Sequence, residues 1–344
     1  MTQTSPAAAT AVGRPGARAL LRALAIASTL PYIALKTAWI AGSRVGIPDG
    51  SPLLEHRTTM IVANGVTILM DSAVVVIALL LTRPWGLRVP AWLLVLPVWV
   101  ASGLLLPIMT GYPAQLVVSL FRGSGVGGNG GDGDPFLDEW VFGVVYGGFT
   151  LQGIALGTLF ALYARERWGH LWRGTLRDLP QSPTAPALRV TAVLASLLAV
   201  VPAVMHLVWA TGSTAGLNGA RIADRDGPFY VMEAFNALFA LVAAAGVLLL
   251  AFRRSALPLA VPLVLAWCGS GASGCWGGWL SAASLTGTQK VSEQPTPTMV
   301  VIYGVQMLLG ALVVTLGGYF FSERAAAPGS RGAVPSAPSP GIRA

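Results

Sequence analysis

Apolar runs of about twenty residues recur along almost the whole of this chain. A run of that length matches the ~30 Å hydrocarbon core of a bilayer. Lipid offers the backbone no hydrogen-bond partners, so a segment that crosses it must satisfy its amides internally, and each run is expected to be a helix. Composition agrees: 54% of the 344 residues are hydrophobic and 10% charged, with a mean hydropathy of +0.67, whereas a soluble domain is about a quarter charged. The expected fold class is all-α, a polytopic membrane helix bundle with eight transmembrane spans. They run about Leu20–Gly42, Thr58–Thr82, Val89–Thr110, Glu139–Tyr163, Val190–Gly212, Phe229–Phe252, Leu257–Leu280 and Met299–Phe321. Gly111–Asp138 reads as an outer loop.

The chain contains one stretch twice. Residues 35–47, LKTAWIAGSRVGI, align without gaps to residues 205–217, MHLVWATGSTAGL, at an offset of 170. Lys36 then faces His206, Trp39 faces Trp209, Gly42-Ser43 faces Gly212-Ser213 and Gly46 faces Gly216. A second pair, residues 146–167 and 303–324, shares 8 of 22 positions at an offset of 157. The expected organisation is two four-helix repeats, 18–165 and 190–324, joined by a basic cytoplasmic linker, 166–189. Polar tails, 1–17 and 325–344, lack periodicity and are expected to be disordered. Four spans is an even number, so both repeats insert the same way up, as parallel repeats about a pseudo-two-fold axis along the membrane normal. The recurrence of the first span deep in the chain argues against reading it as a signal peptide.

Charge sets the orientation. With the N-terminus inside, inner segments hold 15 Arg, while outer segments hold Arg44, Arg57, Arg122, Arg221, Arg225 and Lys290. Basic residues concentrate in cytoplasmic loops, which places both termini in the cytoplasm of a multi-pass cell-membrane protein. The net charge of +8 therefore points to loop topology and not to nucleic acid.

An ionisable side chain within a span costs about 2.5–3.5 kcal/mol on insertion scales and needs a reason. Asp71 lies mid-span, and Asn64, Thr67 and Asp71 share one helix face at i, i+3, i+7. They form either a structural hydrogen-bond knot or a ligand or ion site. Lys36 is six residues from the outer end of its span, roughly 9 Å at about 1.5 Å per residue. It either snorkels outward or turns into the bundle, and His206 at the matching position cannot snorkel as far. Trp39 and Trp209 are either interface anchors or pocket walls. Glu233 and Asn236 stand at i, i+3, level with His206, so a His–Glu contact is sterically open, and a helix-start position for Glu233 is the alternative. Tyr146 and Tyr303 share the same outer depth, with Gln152 and Gln306 near or below it. By depth these residues converge on a polar pocket in the outer half of the membrane, between the repeats.

Other signals weigh less. GVGGNG at 125–130 follows no strand, so it is no nucleotide loop. GGNGGDG at 127–133 resembles one turn of a calcium-binding repeat that works only when stacked. Cys268 and Cys275 lie two helical turns apart, too far for a disulfide between them.

At His206, Trp209, Ala210 and Gly212 the chain carries H-x-x-W-A-x-G and resembles small four-helix bacterial membrane proteins with that motif. The whole chain resembles a doubled version, of the kind found among actinobacterial integral membrane proteins with no assigned activity. The first half departs from the motif, with Lys36 for the histidine and Ile40 for the alanine.

The function expected is binding or transport of a small ligand, ion or lipid, with the lipid bilayer as partner. Lys36, Asp71, His206 and Glu233 would supply charge or proton coupling, Trp39 and Trp209 the walls, and Asn64, Asn236, Tyr146 and Tyr303 polar lining. No cofactor is called for: of three histidines only His206 lies in a span, and a bis-histidine haem needs two. A structural, assembly or sensory role is the main alternative. A membrane redox enzyme is the third, thinly supported by two cysteines and by no catalytic motif.

Overall fold

The computed structural model of the chain describes residues 15–54, 57–122, 137–179, 184–285 and 292–326. These residues form ten α-helices and no named strand. In order they are α1 Pro15–Ala27, α2 Leu30–Ile40, α3 Arg57–Thr82, α4 Ala91–Arg122, α5 Glu139–Trp168, α6 Ala185–Ala210, α7 Gly219–Ala223, α8 Gly227–Phe252, α9 Ala260–Ser284 and α10 Pro297–Ala326. Among the described residues seven helices are long and apolar enough to cross a membrane, α1 and α2 counting together as Gly16–Ile40. The segment expected as the seventh span is the 25-residue helix α9, rich in glycine and serine, and it is not among the seven. The glycine-rich stretch 123–136 and most of both tails lie outside the described residues.

Two expected boundaries change. The first span is two helices, with Ser28 and Thr29 between them. Pro31 has no N–H to continue the ladder, and the Ser28 and Thr29 hydroxyls donate to Ala25 O and Ile26 O at 3.0 and 2.8 Å. In the other direction, α4 runs past the expected loop start at Gly111 to Arg122, with Pro97, Pro107 and Pro113 inside it. Each proline removes one donor. The residues around them are apolar, and their remaining backbone groups find no better partners than their own helix.

The chain folds as two compact units, Met1–Tyr163 and Ala164–Ala344. In the first, α1 and α2 pack on α3, and α3 packs on α4. Helix α5 meets α2 through an edge-on Tyr32–Phe149 contact, ring centroids 5.1 Å apart. A buried cluster of Trp39, Ile47, Val141 and Val145 closes one end.

In the second unit α6 and α9 each pack against both α8 and α10, forming a four-helix ring. Its core is built from small residues: Ala192, Ala195, Ala199 and Ala203 on α6 face Ala240, Ala243 and Val247 on α8. Without side-chain bulk, helix backbones approach closely, which is how apolar helices gain contact when lipid is the competing solvent. The approach is tightest at Gly269, where an added Cβ would lie 2.3 Å from Ala243 N and 2.6 Å from Phe239 O. Both neighbours are backbone atoms and cannot step aside. Gly269→Ala is therefore expected to cost about 1–3 kcal/mol. Gly304→Ala, with nothing within 4 Å, serves as the neutral control. Thermal unfolding in nanodiscs compares them.

A short segment also docks on the second unit. Thr175 bridges Pro258, and Leu176 packs with Leu259 and Phe320. The Thr175 N–H and hydroxyl both donate to Asp178 at 2.8 Å and hold its carboxyl below the usual carboxylate range.

Candidate functional site

The repeated stretch builds the same local structure in each unit. Trp39 Nε1 donates to Val45 O at 2.7 Å, and Trp209 Nε1 to Ala215 O at 2.8 Å. Gly42 N bonds Trp39 O and Gly212 N bonds Trp209 O, both at 3.0 Å. Ser43 and Ser213 accept from the N–H two residues on, at 3.3 and 3.2 Å. Gly42 and Gly212 take φ of 97° and 102°, Gly46 and Gly216 74° and 75°. Both indoles are buried and spend their N–H on the turn that ends their own helix. They staple the loop that follows their own helix.

One helical turn before each tryptophan lies an ionisable residue, and each is the centre of a different polar cluster. In the first unit Lys36 is 1% exposed, its Nζ 2.9 Å from Asp71 Oδ2 and 3.4 Å from the centroid of the Tyr32 ring. Snorkelling is thus excluded. The pairing follows from helix direction: side chains lean toward the N-terminus of their own helix. Lys36 and Asp71 therefore lean toward each other from antiparallel helices. Asn64 and Thr67 share Asp71's face but not its bonds: Asn64 donates to Met60 O at 2.9 Å and Thr67 to Ala63 O at 2.9 Å, both on their own helix. Tyr146 is half-buried, with Tyr112 5.5 Å away, and packs against the Trp39 cluster. Gln152 is buried, and its Oε1 meets no donor among the described residues.

In the second unit His206 and Glu233 meet, Nδ1 to Oε2 at 2.5 Å, with Glu233 0% exposed. The other Glu233 oxygen accepts from Arg221 Nη2. His206 Nε2 lies 3.0 Å from Gln306 Nε2, and the imidazole stands edge-on to Trp209 with centroids 5.2 Å apart. With the Gln306 amide nitrogen toward it Nε2 accepts and Nδ1–H faces Glu233, and with the amide turned over Nε2–H could donate to Oε1. Tyr303 is buried with Trp209, Leu217 and Phe229, and its hydroxyl interacts with Arg221. Asn236 is half-buried one turn from Glu233 and takes no part in this network.

The expected ionisable residues fall into two centres, Lys36 with Asp71 in the first unit and His206 with Glu233 in the second. Arg221 was legible only as an outer-loop charge, and Tyr32 carried no signal. Arg221 reaches Glu233 because Asn218 caps α7 by accepting from Arg221 N at 2.9 Å, while its amide donates to Glu293 O at 2.8 Å. Among the described residues no group of three His, Cys, Asp or Glu side chains is placed to hold a metal ion. Cys268 and Cys275 are free thiols. Comparison with protein-family models, curated proteins and solved structures found no match to this chain.

Proposed function

We propose that the chain is a multi-pass cell-membrane protein made of two four-helix repeats, eight spans with both termini cytoplasmic, that binds or transports a small ligand, ion or lipid at its buried polar centres. The observation that carries this is the pair of charge-compensated centres, Lys36–Asp71 and His206–Glu233–Arg221, in helices that are otherwise apolar. Charges in a membrane interior are expensive and mark sites more often than scaffolding. Duplication is supported by the matched turns at Trp39 and Trp209. It is supported again by Gly46 and Gly216, whose added Cβ atoms would strike Val141 and Thr298, residues that correspond at the offset of 157. Of the H-x-x-W-A-x-G residues, His206 supplies the imidazole, Trp209 the indole staple and Gly212 a left-handed turn, and the proposed kinship with small four-helix membrane proteins rests on that motif.

The second reading, a structural or sensory protein, is favoured by one observation: Lys36 and Asp71 satisfy each other as an inter-helix tie. Purification in nanodiscs and mass spectrometry of retained small molecules separates the two. A solute retained by the wild type and lost in well-folded Asp71→Asn or Glu233→Gln protein supports a working site. No retained solute, with both variants melting lower, supports the tie.

A further inference from the structure

We propose that the His206 centre is a proton-binding site, and that the proton's competitor is the Arg221 guanidinium. This deepens the ligand-binding reading of the second unit and rests on it. Glu233 is fully buried and can supply one negative charge at most, yet two cation-forming groups reach it, one at each oxygen. With the imidazole neutral, Arg221 balances Glu233. With the imidazole protonated as well, the centre would hold a net positive charge away from water, which is costly in a low dielectric.

One of the two cations must therefore leave, and the structure shows which can. His206 is enclosed by Glu233, Gln306 and Trp209. The Arg221 side chain is 34% exposed and sits on a five-residue helix, with one face over the Phe229 ring at 5.1 Å. Proton uptake then runs as an exchange. A proton from water adds to Nε2, Nδ1–H stays on Glu233, and imidazolium replaces guanidinium as the counter-ion. Gln306 accommodates either state, since turning its amide presents Oε1 to accept from Nε2–H.

His206 meets Glu233 from α8 and Gln306 from α10, Arg221 from α7 reaches Glu233, and Tyr303 from α10 and Tyr230 from α8 pack in the cluster around Trp209. Helix α9 presents Gly277 to Gln306 and carries the Cys275 thiol two residues earlier. Asp224, Asp226 and Arg225 lie in the same loop, and Arg225 is tied to Gly212 O at 2.9 Å.

The test uses the full chain in nanodiscs. An arginine-selective dicarbonyl labels Arg221, and its labelling is divided by that of exposed Arg44 in the same molecule, which cancels the reagent's own pH dependence. Between about pH 8 and pH 5, where imidazole titrates, the ratio should rise about tenfold, within the usual range of coupling between two ligands of one site. His206→Gln should hold it flat. A flat ratio in the wild type overturns the proposal, and so does the same pH dependence in His206→Gln, which would assign it to the loop carboxylates. If that variant does not accumulate, nitrogen NMR of wild-type His206 decides: an imidazole that stays singly protonated across the range while Arg221 becomes reactive overturns the exchange. Neither readout needs a retained solute, so a failed solute search and a failed exchange remain distinguishable.

Discussion

Lys36→Met should lower stability by about 3–5 kcal/mol, the range seen when one partner of a buried ion pair is removed. Methionine nearly matches the lysine stem in volume, so packing changes little and the loss isolates the charge. Asp71 would then stand 5% exposed without its cation 2.9 Å away, and Tyr32 would lose the ammonium over its ring. The double variant Lys36→Met with Asp71→Leu should recover most of the loss, because it removes the stranded carboxylate as well. Replacing a whole buried pair by apolar residues is often neutral. Thermal unfolding of the wild type, Lys36→Met, Asp71→Leu and the double variant in nanodiscs closes the cycle. A single variant that melts like the wild type would show that Asp71 has no need of the lysine.

Gly46→Val and Gly216→Val should each prevent stable folding of their unit. Two costs coincide at these positions. Their φ angles, 74° and 75°, are left-handed, at about 1–2 kcal/mol for a residue with a Cβ. The new Cβ would also lie 2.4 Å from Val141 Cγ2 or 2.6 Å from Thr298 Cγ2. Overpacking of this kind adds about 1–3 kcal/mol. Gly42 and Gly212 separate the two effects. They are equally left-handed, but an added Cβ meets only Arg57 at 3.9 Å in the first case and nothing within 4 Å in the second. Alanine there should cost the backbone strain alone. Yield of folded protein and its melting temperature give the comparison. Valine at 46 or 216 behaving no worse than alanine at 42 or 212 would show that the loop yields and that Val141 and Thr298 do not confine it.

Much of the candidate site could be read from residue type and depth. Lys36, Asp71, His206 and Glu233 stood out because ionisable groups are rare in apolar runs, and matching depth left a His206–Glu233 contact open beside a helix-start role for Glu233. The Lys36–Asp71 pair did not follow from depth, since Asp71 lies eight residues further along its helix than Glu233 does along α8. Only the lean of two side chains on antiparallel helices, with the length of a lysine arm, closes that gap. Asn64 and Thr67 mislead for the converse reason: a shared face gives proximity to a helix surface, while their short polar groups find carbonyls of their own helix first. Arg221 looked like a loop charge because its approach to Glu233 depends on Asn218 anchoring α7 to a segment 75 residues away.

The membrane-spanning helices follow from the string of residues alone. The cost of an unsatisfied amide in lipid is local, so run length is enough to make a segment helical. The repeated tryptophan turn is equally local, set by glycines and a serine within a few residues of the indole. Which polar groups share a charge is decided by folding, because a buried ion takes whatever partner the packed helices bring within about 3 Å, and that distance depends on tilt, kink and side-chain lean summed over both helices. The reach of Lys36 to Asp71 and the descent of Arg221 onto Glu233 are results of that packing.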